Sequence, residues 1–590
     1  MSNENLQLEE THFDVIVLGT GLVESITAGS LARAGQKVLH LDSNPFYGSN
    51  WSVFGFRELL EWSESAQNSN EDPNIPSHTK SPVDAETFTI EYEKSCRENF
   101  KNVEFCLYGS RDTESPVLFD QQSNTTQELL TVAIETQLED ILKKAIAKDR
   151  DIVKSFIKKE AIELAGEKHP VDLSQSIAKL HVLYSALSVS RSYNLDMAPK
   201  LLSCQGELIE TLIHSGVGRY LEFKSVDDIF VFDDKTKGLE KVPSSKEDVF
   251  TNKAISLIDK RKLMKFLMYA VHYEDDETLL QESKEIPYVQ FLEKNFKITG
   301  KLQTAIIYAI ALSDINTLAK DGLDRTKSFM TSIGRFGRGG YLCPLYGGGS
   351  EIAQAFCRVC AVYGGIYILN HPVEKFCTEK GTGECIGVVT VDGQTFHSKT
   401  MIAGVDYLSP RWLPPASSLE TWVARAILVT ESPLNIKSTE ETNAGLGYSL
   451  FPTNSEAGNT YAPIFMLHQN QETMTCPNNQ YVTYLWTNCG KQHTSNNSLQ
   501  KAISILLERS SESEEISFVK PLFAVYYHQR VRSIHTEGWN LPTNVIGCST
   551  PNGSLDFEDA ATEAHAIFRR CTPEGTEFLP PNEQDVETED

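Results

Sequence analysis

Two glycines and a carboxylate near the N-terminus have the types and spacing to hold a dinucleotide, and a second carboxylate stands in the way. Gly19 and Gly21 follow a short apolar run, residues 13–18, in Phe-Asp-Val-Ile-Val-Leu-Gly-Thr-Gly-Leu-Val-Glu-Ser. Glycines so placed permit the tight turn of a βαβ nucleotide-binding unit, and they let the pyrophosphate approach the N-terminus of the following helix. Asp42 ends a second expected strand, residues 38–41, at the spacing of a ribose-binding carboxylate, roughly twenty residues on. Glu24 takes the third glycine position, where a side chain obstructs helix-to-strand packing and a carboxylate adds negative charge beside a pyrophosphate. A second test comes near the C-terminus. Flavoproteins with two dinucleotide-binding domains offer Gly-Asp there to the ribityl and phosphate groups, but this chain has Cys548-Ser549-Thr550. Both ends of the site are altered, so the fold is expected without a cofactor.

The elements that position these residues follow from hydrophobic period. Residues 22–34 read as the first helix and 38–41 as the second strand. From 61 to about 181 the pattern gives way to a polar, acidic insertion, expected to be partly mobile over 63–82. Within it, 126–164 has helical period, with Leu130, Ile134, Leu138, Ile141 and Leu142 on one face. Residues 206–214 read as a helix and 229–232 as a strand; 252–275 and 287–311 are apolar or amphipathic and suggest a helical subdomain running to about 335. A helix over 351–363, a strand over 364–369 and a hairpin over 385–402 lead back to the main sheet. Alternating strands over 421–527, with a helix at 499–508, read as a second, antiparallel sheet; 544–550 and 559–568 close with a strand, turn and helix. The fold class is α/β (α+β): a flavoprotein-like multi-sheet domain with a Rossmann-like βαβ start, plus a smaller all-helical inserted domain. The expected division is 1–62 for the Rossmann-like start, 63–185 for the insertion, 186–250 for sheet segments, 251–335 for the helical domain, 336–575 for the returning sheets and closing βα unit, and 576–590 for an acidic disordered tail.

The chain has 590 residues, more than one core usually organises, and a formal net charge of -26. That charge argues against nucleic acid and anionic lipid as general partners. Residues 1–10 are polar and acidic rather than a signal peptide, and no apolar run reaches the length of a membrane span. A cytosolic location is expected. The 12 cysteines lack disulfide-framework spacing. The one CxxC, Cys357-Arg-Val-Cys360, lies inside a helix with no second pair to complete a zinc site, so buried thiols and no metal are expected. The chain ends Glu-Thr-Glu-Asp, which is no prenylation box. No nucleophile elbow or P-loop is present, and His214 and His565 have no partner legible in sequence.

Several longer motifs occur in a fixed order. They are Val15-Ile-Val-Leu-Gly-Thr-Gly-Leu-Val-Glu-Ser, Val38-Leu-His-Leu-Asp-Ser-Asn-Pro-Phe-Tyr-Gly and Gly218-Arg-Tyr-Leu-Glu-Phe-Lys, then Gly334-Arg-Phe-Gly, Pro344-Leu-Tyr-Gly and Phe356-Cys-Arg-Val-Cys-Ala-Val-Tyr-Gly-Gly. The series spans most of the chain and resembles the Rab GDP-dissociation inhibitor and Rab escort protein superfamily, which shares its sheet architecture with flavoproteins without using flavin. Asn50-Trp51, the long insertion after Trp62 and the Cys-Arg-Val-Cys helix point to the escort branch.

The resemblance implies a non-catalytic chaperone of small GTPases. Such a protein binds a newly made, GDP-loaded Rab, presents its C-terminal cysteines to the αβ heterodimer of Rab geranylgeranyltransferase, and carries the product to a membrane, which it contacts transiently. It also implies a Rab-binding platform built on Tyr47, Glu351 and Arg358, with Ile366 and Ile368 as further positions. Glu351 and Arg358 are two helical turns apart and so share a face; by pattern alone they read equally as an intrahelical surface feature. The helical domain is expected to hold the geranylgeranyl chain and to dock the transferase through an exposed aromatic residue, with Phe291 the candidate and Phe296 the reserve, although helix 287–311 needs core aromatics in any case. Strands after Ala424 are the expected surface for the Rab tail. Two other readings stand beside this one: an inhibitor that only recycles lipidated Rabs, and a flavin-dependent oxidoreductase.

Overall fold

The computed structural model describes residues 8–68, 87–89, 99–109, 116–119, 126–165, 170–226, 228–243, 256–275, 281, 285–409, 412, 414, 421–434, 446–490, 497–510, 516–535 and 537–581. Strand β1 (His12–Leu18), helix α1 (Leu22–Arg33) and strand β2 (Val38–Leu41) form the expected opening unit. They enter an eight-stranded sheet in which Ile366–Ile368, β2, β1 and Thr395–Gly404 run parallel. Val545–Cys548 joins the far half of Thr395–Gly404, also in parallel, while Cys385–Thr390 and Val373–Thr378 add an antiparallel meander. Parallel strands buried on both faces read as near-continuous apolar runs, which is why this sheet is visible in the sequence.

Three helices cover one face: α1, Gly348–Val362 and Glu558–Cys571. Residues 22–32 of α1 are all buried, including four polar ones. Two of these satisfy themselves locally, because Thr27 Oγ1 donates to the Val23 carbonyl at 2.7 Å and Ser30 Oγ to that of Thr27 at 2.8 Å. Helix Gly348–Val362 packs close against Gly29. A Cβ there would lie 2.9 Å from the Phe356 carbonyl oxygen, a backbone atom that cannot swing aside. Gly29→Ala is therefore expected to cost about 1–3 kcal/mol by overpacking, despite the better helix propensity of alanine, read as a lower denaturant midpoint at unchanged slope.

The second sheet also has eight strands and is mixed rather than purely antiparallel, because Asp228–Asp233 pairs in parallel with Gly447–Phe451. The helical subdomain lies against one of its faces: Leu257–Val271, Tyr288–Phe296, a short helix Gly300–Thr304 that widens into a π turn at Ala305–Ile310, and Ala319–Ser332. Tyr448 donates its hydroxyl to the Ala309 carbonyl at 3.0 Å and joins the π turn to the sheet.

Two expectations need correction. The described parts of the segment after residue 61 belong to the body of the protein. Helix Phe56–Asn68 continues through its start, and Phe100–Leu107 forms the edge strand of the second sheet against Pro521–Val531. The helix expected over 126–164 is three helices, Gln127–Gln137, Glu139–Lys144 and Ala147–Leu164; their apolar stripes enter the same core as the helical subdomain, and Arg57 pairs with Asp149 at 2.6 Å. Residues 69–82 of the segment expected to be mobile lie outside the described residues. The start of the expected disordered tail is also packed: Phe578 stacks on His565 with ring centroids 4.5 Å apart and Leu579 is buried. Its remainder, 582–590, lies outside the described residues.

Candidate partner-binding site

The N-terminal turn does not fit a dinucleotide, because the protein's own side chains fill it. The Glu24 carboxyl lies against Gly21 and Gly404, where a Cβ on either would collide with it. The Tyr407 ring covers Gly19, where a Cβ would meet it at 2.9 Å. Burial pushes the Glu24 carboxyl up to about 8, and nearby Glu563, Asp406 and Asp42 push in the same direction. A pyrophosphate would meet this group where the fold normally offers open backbone N–H groups. Asp42 is equally occupied. Its Oδ2 accepts from Thr20 N at 2.7 Å, Thr20 Oγ1 at 2.6 Å and Ser49 Oγ at 3.0 Å. Its Oδ1 accepts from Asn44 N at 2.7 Å, Asn44 Nδ2 at 3.0 Å and Tyr407 OH at 2.6 Å.

Tyr47 projects from the loop that Asp42 begins. Its backbone carbonyl accepts from Ser350 Oγ at 3.3 Å, which joins the loop to the first turn of helix Gly348–Val362. Its ring is half-buried beside that of Tyr367, with centroids 6.1 Å apart. Glu351 follows on the same helix, half-buried; burial raises its carboxyl while Gln354 Nε2 donates to it at 3.2 Å. Arg358 is exposed two turns on, its guanidinium 4.4 Å from the ring centroid of Tyr220. Tyr220 is 51% exposed, Val362 67% and Tyr363 36%. The result is a surface with one acid, one base and an aromatic border, which suits a partner face of mixed charge and apolar character.

Ile366 and Ile368 are half-buried on the edge strand of the first sheet, on the strand face opposite Tyr367. Strand pairing places Ile366 beside Leu39 and Ile368 beside Leu41, and both isoleucines pack against the core on the sheet face away from α1. Tyr367, paired with His40, faces the helices and Tyr47. It borders the same surface and is not among the residues named from the sequence, although strict alternation along the strand was a signal that could have found it.

Phe291 and Phe296 are not the exposed aromatics expected. Phe291 is 0% exposed and Phe296 8%, inside a ring cluster with Phe266, Tyr269 and Tyr288. Strand Thr421–Thr430, which holds Ala424, is buried at every position after Thr421 and offers no open face to a peptide. Cys357 and Cys360 are buried, and burial pushes both thiols up to about 12. His214 and His565 do have partners, Glu577 at 3.0 Å and Glu207.

A two-sheet body with a helical subdomain, a self-filled nucleotide turn and a charged aromatic helix face defines a class of binding protein. The chain belongs to the GDP dissociation inhibitor family, whose sequence profile matches residues 8–80 and 161–518. Nearly its whole length is similar to Rab proteins geranylgeranyltransferase component A 2 of Homo sapiens, at 32% identity over 98% of this chain and 93% of the relative. Rab escort protein 1 of Arabidopsis thaliana is 27% identical over 95% of this chain and 93% of its own length. The crystal structure of Rab GDI from Plasmodium falciparum superimposes with a TM-score of 0.59 at 19% identity, covering 95% of this chain and 98% of that one, and shows the shared fold.

Proposed function

We propose that this chain is a Rab escort protein that binds GDP-loaded Rab GTPases and presents them to the geranylgeranyltransferase heterodimer. The observation that carries this reading is the surface formed by Tyr47, Glu351 and Arg358, which two separate chain segments bring onto one helix face. Similarity running the full length of proteins named component A or escort protein favours this over a recycling inhibitor. The catalytic groups belong to the heterodimer; this chain's work is to bind, orient and release. Among the described residues no helix is long and apolar enough to cross a membrane, so delivery rests on transient contact.

The helical subdomain is the part assigned to the lipid and the transferase. Parting its helices would bury a geranylgeranyl chain at roughly 25 cal/mol per Å². With Phe291 and Phe296 interior, the transferase surface passes to the exposed residues of helix Leu257–Val271, where Leu257 is 78% exposed, Ile258 68% and Met268 66%.

The test is geranylgeranyl incorporation into GDP-loaded Rab by purified heterodimer with and without this chain. Incorporation only in its presence is the expected result. Retained Rab binding without stimulation would move the assignment to a recycling inhibitor, and absence of both would remove it. Arg358→Glu is expected to weaken Rab binding by at least about tenfold with an unchanged melting temperature, because its guanidinium is exposed and rests on the Tyr220 ring. Wild-type affinity in that variant would show that the platform lies elsewhere.

A further inference from the structure

The carboxylate placed for a ribose has a different occupation here. Asp42 gathers six donors from three stretches of chain: Thr20 in the turn after β1, Asn44 and Ser49 in the following loop, and Tyr407 from the far side of the sheet. The same loop carries Tyr47, and the bonds close it at both ends. Asn44 lies three residues before the tyrosine and Ser49 two residues after it. Thr20 adds a second tie, since its carbonyl and its Oγ1 each accept from Gly48 N at 3.1 Å.

Backbone conformation is an independent sign that the loop is held rather than relaxed. Gly48 has φ 93° and Ser49 φ 47°, two successive residues in the left-handed region, and the second is not glycine. A serine in that region persists when its surroundings over-determine it. Here its hydroxyl donates to Asp42 Oδ2 at 3.0 Å and accepts from Thr20 N at 3.2 Å. The turn these residues make aims the chain so that the Tyr47 carbonyl meets Ser350 and its ring meets Tyr367.

We infer that Asp42, with Thr20, Ser49 and Tyr407 as its donors, is the positioning residue of the Rab-binding loop, holding Tyr47 in the pose that binds a GDP-loaded Rab. The inference rests on the platform reading above. Asp42 makes no contact with the partner and acts through Tyr47. Pre-ordering a contact loop lowers the entropy lost on binding, so loosening it weakens affinity without removing any contact atom.

The experiment measures affinity for GDP-loaded Rab, together with hydrogen exchange of the Thr20, Asn44 and Gly48 amides, in the full chain. Asp42→Asn is expected to weaken binding about tenfold or more, and Tyr407→Phe, which removes one hydroxyl and keeps the ring over Gly19, about threefold to tenfold. Both should speed exchange at the three amides. Thr20→Val should behave like Asp42→Asn, with rescue by Thr20→Ser, which restores the hydroxyl. In a Tyr47→Ala background, Asp42→Asn should change affinity by less than about twofold, since coupled residues are not additive. An equal loss in both backgrounds would make Asp42 a general structural residue and overturn the inference. So would wild-type affinity in Asp42→Asn and Tyr407→Phe with faster amide exchange. Wild-type affinity in Tyr47→Ala alone is a separate result, which overturns the platform reading and this inference with it.

Discussion

Phe291→Ala is expected to destabilise the protein by about 3–5 kcal/mol and to lower Rab binding and transferase stimulation together. The side chain is fully buried, with ring centroids 5.8 Å from Phe296, 6.2 Å from Tyr269 and 6.5 Å from Tyr288. The cluster bridges helices Leu257–Val271 and Tyr288–Phe296, so alanine leaves a cavity between the two helices. Tyr288 cannot easily move in to fill it. Its ring already presses on Gly322, and its hydroxyl is 2.6 Å from Thr326 Oγ1. Against a typical total stability of about 5–15 kcal/mol, a loss of this size would leave the subdomain open a measurable fraction of the time. Urea unfolding followed by circular dichroism, run beside both binding assays, gives the answer. Unchanged stability with transferase docking alone lost would return Phe291 to the role of an exposed contact.

The parts of this molecule that were legible in sequence are those set by local period or by a fixed spacing. Strand Val38–Leu41 was found residue for residue, because a short, mostly apolar stretch between a turn and Asp42 has few other readings. Glu351 and Arg358 come from the resemblance, and spacing adds only that two helical turns put both on one face. Ile366 and Ile368 come from the resemblance alone, and the sheet face they take was not legible, because a strand's parity depends on its partner, and the partner register, Tyr367 beside His40, is not written in the strand itself. Phe291 was readable in principle. Tyr288, Phe291, Leu292 and Phe296 repeat at helical spacing and form one buried stripe, which weighs more than the wish for an exposed aromatic. The Asp42 hub was out of reach, because Tyr407 is 365 residues away in sequence and nothing near either residue announces the other. The packed start of the tail failed for a plainer reason: Phe578 and Leu579 are a lone apolar pair in acidic surroundings, and only their landing on His565 and Phe568 gives them meaning.

Glu24→Gln is expected to make the protein more stable than the wild type at alkaline pH and nearly equal to it in acid. In the folded chain the Glu24 carboxyl is pushed from 4.5 up to about 8, first by burial and then by the like charges of Glu563, Asp406 and Asp42. Its Oε2 has no hydrogen-bond partner among the described residues, and a bond from its own backbone N–H offsets only part of the loss of water from an ionised form. Between those two values the folded state holds a proton that the unfolded state has released, and stability must fall as pH rises through that window. Glutamine keeps the shape and removes the ionisation. The advantage of the variant should therefore grow from about pH 5 to about pH 8 and then level off, reaching about 4 kcal/mol. The difference between the two proteins is the quantity to measure, because the wild-type curve carries other groups. Buried Lys200 is pushed from 10.5 down to about 7, chiefly by burial, and contributes a slope of opposite sign above about 7 that cancels in the difference. Urea midpoints for both proteins at pH 5.5, 7 and 8.5 suffice. Parallel curves would mean that the carboxyl ionises freely in the folded chain, and the nucleotide turn would then be open to water rather than filled by Glu24.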